Sequence, residues 1–231
     1  MRSLHIEPVS ISLVASLLVI LLPARAQQQA EAGKVDKDRH IYLLIGQSNM
    51  AGRAPFGEEE SGAIERCLLL NAEDQWEPAK NPFNRYSTIR KGLGMQKMNP
   101  GYSFAKAMLE SDPDITIGLV VNAKGGSSIK EWAKGTEFYN EAVRRARAAE
   151  KSGELKGILW HQGESDREDP DYLPKLKAMI ANLREDLGHP LLPFVCGQLN
   201  GVPLINDQLM ALVASVPMTG CASSENLTTM D

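Results

Sequence analysis

Short apolar runs alternate with longer segments of helical periodicity along most of this chain. Because each strand-like run is followed by a helix-like segment, the pattern predicts a parallel sheet covered by helices on both faces. We therefore predict an α/β fold with three α/β/α layers. The predicted strands are residues 41–45, 67–70, 115–121, 157–160 and 192–197, and the predicted helices are residues 102–110, 137–151, 172–187 and 204–213.

The first predicted strand ends at a turn that places a serine in a reactive setting. Gly46 breaks the strand, and Ser48 lies where the next helix should begin. A serine at such a turn has a free hydroxyl close to backbone N–H groups, and the positive end of the helix dipole helps to hold an anion there. This arrangement suits a serine nucleophile with part of an oxyanion hole. An ordinary turn with Ser48 as a helix N-cap is the alternative on the local pattern alone.

A second polar residue is expected at the same edge of the sheet. Gln162 directly follows the fourth predicted strand, as Ser48 follows the first. Parallel sheets of this kind bind ligands at the carboxyl ends of their strands. The topology alone therefore predicts that Ser48 and Gln162 face the same cleft.

Four segments together carry a resemblance to a known family. In chain order they are GQSNMAGR (46–53), NPGYSFA (99–105), NAKGGSSIKEW (122–132) and WHQGESD (160–166). They resemble the SGNH-type hydrolases, and more closely the carbohydrate acetylesterase branch that includes acetylxylan esterases and sialate O-acetylesterases. The resemblance runs from about residue 41 to residue 231 and implies a flavodoxin-like sheet. The first segment is not the G-x-S-x-G elbow of α/β-hydrolases, since Met50 replaces the second glycine.

The resemblance implies a serine esterase that removes O-acetyl groups from a carbohydrate through an acetyl-enzyme, with no cofactor and no metal. Ser48 would be the nucleophile, and Asp231 would orient the base. The oxyanion donors would be the N–H of Ser48, the Gly101 region and the carboxamide of Gln162. The expected substrate pocket is formed by Gln47, Asn49, Gly126, Ser127, His161 and Glu164.

The catalytic base is the missing element of this interpretation. The family pattern is Asp-x-x-His, and the chain ends at Asp231, where the Asp of that pattern is expected. His40 and His189 are predicted at the opposite end of the sheet, and His161 fits a pocket wall better than a base. The chain is then either a fragment of an active enzyme or a short, inactive relative that binds acetylated carbohydrates. A lipase-like esterase is a further alternative, although the chain has no long apolar lid.

The N-terminus predicts a targeting segment. Arg2, the apolar run 11–22 and the A-x-A site at Ala24–Ala26 predict a signal peptide over residues 1–26, and hence a secreted or periplasmic protein. The apolar run is too short for a comfortable membrane span, so no membrane association is expected after cleavage; a membrane anchor is the alternative. Residues 27–39 should form a flexible lead-in, and residues 40–231 the esterase domain without its C-terminal end.

Charge and cysteine content indicate which other binding partners and cross-links to expect. The net charge is −4, and no basic patch with interleaved aromatic residues is present, so nucleic acid is not an expected partner. Cys67, Cys196 and Cys221 have no C-x-x-C spacing, and no metal site is predicted. We favour buried free thiols on strands over a disulfide. An oxidising compartment would allow one bridge, and the sequence does not select the pair.

Overall fold

The computed structural model describes residues 35–225 and residue 227 of the 231-residue chain. The predicted signal peptide (1–26), most of the predicted lead-in and Asp231 lie outside the described residues. Their assignments therefore stay predictions.

A seven-stranded sheet forms the centre of the fold, in the order β3-β2-β4-β1-β5-β6-β7. Every neighbouring pair of strands is parallel except β2 and β3. All five predicted strands are present, which confirms the α/β prediction. The strands are β1 (Arg39–Gly46), β2 (Cys67–Leu70), β3 (Trp76–Pro78), β4 (Thr116–Ala123), β5 (Glu154–His161), β6 (Phe194–Gly197) and β7 (Thr219–Ala222).

Helices cover both faces of this sheet, and β1 shows how the two layers are divided. Ile41, Leu43 and Ile45 pack in one apolar cluster with α3, α4 and α5. Tyr42 and Leu44 pack in a second cluster with α1 and α2. Alternate side chains of a strand point to opposite faces, so a strand buried on both faces reads as a continuous apolar run. The helices are α1 (Ser48–Ala51), α2 (Gly101–Ser111), α3 (Glu137–Glu150), α4 (Tyr172–Leu187) and α5 (Pro203–Ser215).

Short 3₁₀ turns interrupt the connections between these elements. Those relevant to the site are Ile129–Trp132, which follows β4, and Glu164–Asp166, which follows β5. None of the described helices is both long and apolar enough to span a membrane.

Two strands were not predicted from the sequence. β3 pairs antiparallel with β2 within residues 71–99, where the sequence analysis placed no strand or helix. It has three residues and follows a turn in which Asn71 Oδ1 accepts the N–H groups of Glu73 and Gln75. β7 has the sequence TGCA. Neither segment is long or apolar enough to produce a periodic signal.

A buried arginine ties the β2–β3 turn to helix α3. Arg145 is fully buried, and its Nη2 donates to the Leu70 carbonyl at 2.8 Å. Its Nη1 donates to the Asn71 carbonyl at 3.3 Å and lies 4.0 Å from Asp74 Oδ1. Burial lowers the pKa of Arg145 to about 10. The guanidinium therefore provides, from helix α3, hydrogen-bond donors for the carbonyl groups of Leu70 and Asn71.

Replacing Arg145 with methionine should lower the free energy of unfolding by about 2–4 kcal/mol, because two carbonyl acceptors lose their charged donor while the volume is nearly kept. Urea unfolding followed by circular dichroism measures the change. The matched control is Arg144→Met on the same helix, because Arg144 is 43% exposed and pairs with Asp74 and Glu141. It should cost less than about 1 kcal/mol. Equal costs for the two variants would contradict a structural role for Arg145.

Candidate active site

The turn that carries Ser48 is fixed by contacts between β1 and β5. Gly46 has φ +143°, and a Cβ at this position would lie 2.2 Å from the His161 carbonyl oxygen, so only glycine fits. The next residue, Gln47, donates its N–H to the same His161 carbonyl at 2.9 Å. Ser48 then begins helix α1 and is partly exposed. Because α1 has only four residues, its dipole contributes less than the sequence pattern suggested.

The loop after β4 lies directly beside Ser48. A Cβ placed on Gly125 would lie 3.9 Å from both the Cα and the Cβ of Ser48. Lys124 donates its N–H to the Gly46 carbonyl at 3.0 Å, which holds this loop against the serine turn. Within the described residues, the N–H groups of Gly125 and Gly126 donate to no acceptor. The loop therefore has two backbone donors without a described acceptor, and its Gly125 lies next to the predicted nucleophile.

Gln162, expected to line the cleft, is instead fully buried. Its amide nitrogen donates to Gln47 Oε1 at 3.1 Å, to the Ser127 carbonyl at 2.9 Å and to Asp166 Oδ2 at 2.5 Å. These three partners belong to the turn after β1, the loop after β4 and the 3₁₀ turn after β5. Gln162 therefore joins the three loops, and its role as an oxyanion donor stays a prediction.

Gln47 and Ser127 are also less accessible than the pocket assignment implied. Gln47 is 3% exposed, and its Oε1 also accepts the N–H groups of Gly163 and Ser165. Ser127 is 1% exposed, and its hydroxyl accepts the indole N–H of Trp132 at 3.1 Å. Both residues support the walls of the site from behind rather than facing an open cleft.

The N–H of Gly101, a predicted oxyanion donor, has an acceptor within the protein. Its N–H donates to Asn99 Oδ1 at 3.0 Å, while Asn99 Nδ2 donates to the Met50 carbonyl at 2.9 Å. A Cβ on Gly101 would lie 2.5 Å from Leu44 Cδ2, so this glycine allows α2 to pack closely on β1. The role of the Gly101 region as an oxyanion donor stays a prediction.

Asn49, Glu164 and His161 form a polar group at the rim of the site. The exposed Asn49 donates its Nδ2 to Glu164 Oε1 at 2.7 Å, and His161 Nδ1 lies 4.0 Å from the same oxygen. His161 Nδ1 is buried and has no hydrogen-bond partner among the described residues. Burial lowers the pKa of His161, and the charge of Glu164 opposes that shift only in part. The imidazole is therefore held in its neutral form.

The other two histidines of the described chain lie at the opposite edge of the sheet, as predicted. His40 is in the first residues of β1. His189 follows α4, and its Nε2 lies 2.5 Å from Glu150 Oε1 at the end of α3. Asp231 is outside the described residues, so the structure does not place the predicted acid–base pair. Within the described part of the chain, no group of three or more His, Cys, Asp or Glu side chains is arranged to hold a metal ion.

Arg53 is a site residue that the sequence interpretation missed. Its Nη1 donates to the carbonyls of Gly52 at 2.7 Å and Met95 at 2.9 Å. Its Nη2 lies 2.7 Å from the position of a Cβ on Gly125, which places the guanidinium against the loop after β4. Arg53 forms no ion pair with a described carboxylate, and burial lowers its pKa. The arginine belongs to the GQSNMAGR segment, but only the tertiary contact with Gly125 reveals its position beside Ser48.

A lysine and an open groove extend the site on its two sides. Lys91 Nζ lies 3.4 Å from the position of a Cβ on Gly126, so two cations flank the Gly125–Gly126 loop. Beyond Glu164 lies an open groove of about 660 Å³. It is lined by Ser128, Lys130, Glu164, Ser165, Asp166, Arg167, Glu168 and Asp169.

Comparison with known proteins agrees with this geometry. Residues 38–231 match the family described as carbohydrate esterase, sialic acid-specific acetylesterase. A probable carbohydrate esterase of Arabidopsis thaliana is 37% identical over 177 residues, which are 67% of this chain and 66% of that protein. The aligned region is thus slightly less than two thirds of the plant protein.

Solved structures share the same architecture. The X-ray structure of an Arabidopsis thaliana protein gives a TM-score of 0.75 at 30% identity, covering 85% of this chain and 89% of that one. The crystal structure of NanS gives a TM-score of 0.65 at 17% identity, covering 85% of this chain and 81% of that one. The crystal structure of a carbohydrate acetylesterase from Xanthomonas citri gives a TM-score of 0.62 at 22% identity, covering 80% of this chain and 49% of that one. The last two likenesses show the fold alone.

These findings confirm the resemblance inferred from the four sequence segments. The match extends over nearly all of the described residues, and it includes the turn of Ser48 and the loops after β4 and β5. The chain belongs to the sialic acid-specific acetylesterase family of carbohydrate esterases.

Proposed function

We propose that this protein is a serine esterase that removes O-acetyl groups from a carbohydrate, with Ser48 as the nucleophile. The observation that carries the proposal is the position of Ser48 at the carboxyl end of β1, with the unoccupied N–H groups of Gly125 and Gly126 in the adjacent loop. A nucleophile beside free backbone donors is the arrangement that ester hydrolysis requires. Family membership supports an ester of a carbohydrate as the substrate.

The reaction proceeds in two steps. Ser48 Oγ attacks the acetyl carbonyl while a general base takes its proton, and the sugar hydroxyl leaves with a proton returned by that base. Water then attacks the acetyl-enzyme and releases acetate. Asp231 is predicted to orient the imidazole that acts as the base.

The oxyanion donors we propose are the N–H groups of Ser48 and of the Gly125–Gly126 loop. All belong to the backbone, and the loop donors need no side-chain movement to become available. Their fixed orientation is the feature that makes such donors effective, because no reorganisation is needed during the reaction. Gln162 remains the predicted third donor.

The two cations beside the site favour an acidic sugar, of the sialate type, over neutral xylan. Arg53 has one nitrogen anchored to two carbonyls and directs the other toward the Gly125 loop without a carboxylate partner. Lys91 lies on the other side of the loop. A partly buried guanidinium recognises a carboxylate well, because it donates paired hydrogen bonds in a fixed plane. We also propose export to the periplasm or the medium, on the basis of the predicted signal peptide.

Replacing Ser48 with alanine should abolish hydrolysis of 4-nitrophenyl acetate, with kcat falling at least about 10³-fold because the covalent step is lost. Release of 4-nitrophenol measures the rate. Ser111→Ala, at the exposed end of α2, is the control and should keep wild-type activity. If wild type and Ser48→Ala are equally slow, the alternative of a non-catalytic carbohydrate-binding protein gains support.

Replacing Arg53 with glutamine should raise KM for an O-acetylated sialic acid by about 10-fold or more, since a charge-assisted hydrogen bond is lost. KM for acetylated xylan should change much less. Arg144→Gln removes an exposed cation of α3 that pairs with Asp74 and Glu141, and it should leave both values unaltered. Acetate release measured by a coupled assay gives the constants. A similar loss on both substrates would contradict carboxylate recognition by Arg53.

The buried imidazole of His161 should make stability depend on pH. Its folded-state pKa is below the ordinary value, so the unfolded chain binds the proton more readily. The contribution of His161 to the free energy of unfolding is then fully present above about pH 6.5, and it is lost as the pH falls toward the lower pKa of the folded state. Urea midpoints at pH 7.5 and pH 5.5 should differ less in His161→Asn than in wild type. His189→Asn is the control, and an unchanged pH dependence in His161→Asn would refute the assignment.

A further inference from the structure

Two of the three cysteines occupy directly paired positions on neighbouring strands. In the parallel pair β6–β7, Cys196 is the register partner of Cys221. Residues in register on parallel strands point to the same face, with Cα atoms about 4.8 Å apart. That separation is within the range of about 4.4–6.8 Å found for disulfides. Both thiols are free in this structure.

The two thiols belong to the same apolar cluster and differ in exposure. Cys196 is 1% exposed, and its Sγ also lies 3.3 Å from the Gly220 carbonyl. Cys221 is partly exposed. The neighbouring thiol of Cys221 and burial raise the pKa of Cys196, and the neighbouring thiol of Cys196 lowers the pKa of Cys221. The accessible cysteine therefore forms a thiolate more easily, and the buried one lies next to it.

Cys67 has none of these properties. It lies on β2, in the other half of the sheet, and is 2% exposed. Burial raises its pKa to about 12, so its thiolate is scarce at neutral pH. The structure thus selects one pair from the three that the sequence allows.

We propose that Cys196 and Cys221 form a disulfide when the folded protein meets a small disulfide oxidant such as oxidised glutathione. The Cys221 thiolate attacks one sulfur of the oxidant, forms a mixed disulfide and releases one glutathione thiolate. The Cys196 thiolate then attacks Cys221 Sγ and releases the second glutathione thiolate. Two cysteine thiols are oxidised to one disulfide, one oxidised glutathione is reduced to two thiols, and the protons of the cysteines pass to the released glutathione.

The bond would fasten the last strand to the sheet. β7 has four residues, lies at the sheet edge and pairs only with β6 in the described chain. Beyond β7, the chain is held to the end of β6 by the N–H of Gln198 on the Ala222 carbonyl and by the N–H of Ser224 on Gln198 Oε1. A bridge from residue 196 to 221 closes a loop that contains all of α5, which restricts the unfolded chain. It would also anchor the segment that leads toward Asp231.

The test is oxidation of the native protein with oxidised glutathione, followed by acid quenching, thiol counting and peptide mapping. We expect two of three thiols to disappear and one peptide to join Cys196 to Cys221. The unfolding temperature should rise by roughly 5–10 °C relative to the reduced protein. Three remaining thiols, a bridge to Cys67 or an unchanged unfolding temperature would overturn the proposal.

Single variants separate the two steps. Cys67→Ser should form the same bridge as wild type, while Cys196→Ser should stop at a glutathione adduct on Cys221. A serine at the buried position 196 can weaken the fold, so the partly exposed position 221 is tested as well. Cys221→Ser should leave Cys196 unmodified. A Cys196 adduct in Cys221→Ser that forms as fast as the wild-type bridge would contradict attack by Cys221.

Discussion

The buried amide of Gln162 is the interaction on which the site depends. Its nitrogen has two hydrogens and contacts three acceptors, which belong to Gln47, Ser127 and Asp166. Asp166 Oδ2 accepts in addition the N–H of Ile129 at 2.8 Å. A buried polar group that loses its partner costs about 1–3 kcal/mol, so this network strongly favours one arrangement of the three loops. The partly exposed Ser48 directly follows Gln47, a member of this network that is itself inaccessible.

The topology of the sheet explains why these loops meet. β1 lies between β4 and β5, and all three strands are parallel, so their carboxyl ends reach the same edge. The serine turn, the Gly125–Gly126 loop and the Glu164–Asp166 turn follow those three ends. Glycine at 46 allows the serine turn to approach the end of β5, since a Cβ there would collide with the His161 carbonyl. At position 125 the Arg53 guanidinium and the Ser48 backbone both lie close to the loop after β4.

The sequence predicted the layers of this fold better than the details of its site. Buried parallel strands are continuous apolar runs, and this signal identified β1, β2, β4, β5 and β6. β3 and β7 depend on pairing with a neighbour that is already in place, so they leave no local pattern. Tertiary contacts also decide between Gly101 and Gly125 as backbone donors. Both glycines lie in segments that resemble the family, and the sequence does not show which of the two N–H groups lacks an acceptor. Arg53 was missed because its long side chain reaches a loop more than seventy residues away.

The Gln162 carboxamide and the N–H groups of Gly125 and Gly126 differ in what a hydrogen bond to an oxyanion would cost. If Gln162 donated to an oxyanion by releasing the Ser127 carbonyl, the buried acceptor left behind would cost about 1–3 kcal/mol. That cost would offset much of the roughly 2.7–4 kcal/mol that one oxyanion donor contributes. The N–H groups of Gly125 and Gly126 have no protein acceptor to release. Donation by the proposed donors of the loop after β4 would therefore carry no such cost, whereas the predicted donation by Gln162 would have to offset the loss of a bond that holds this loop in place.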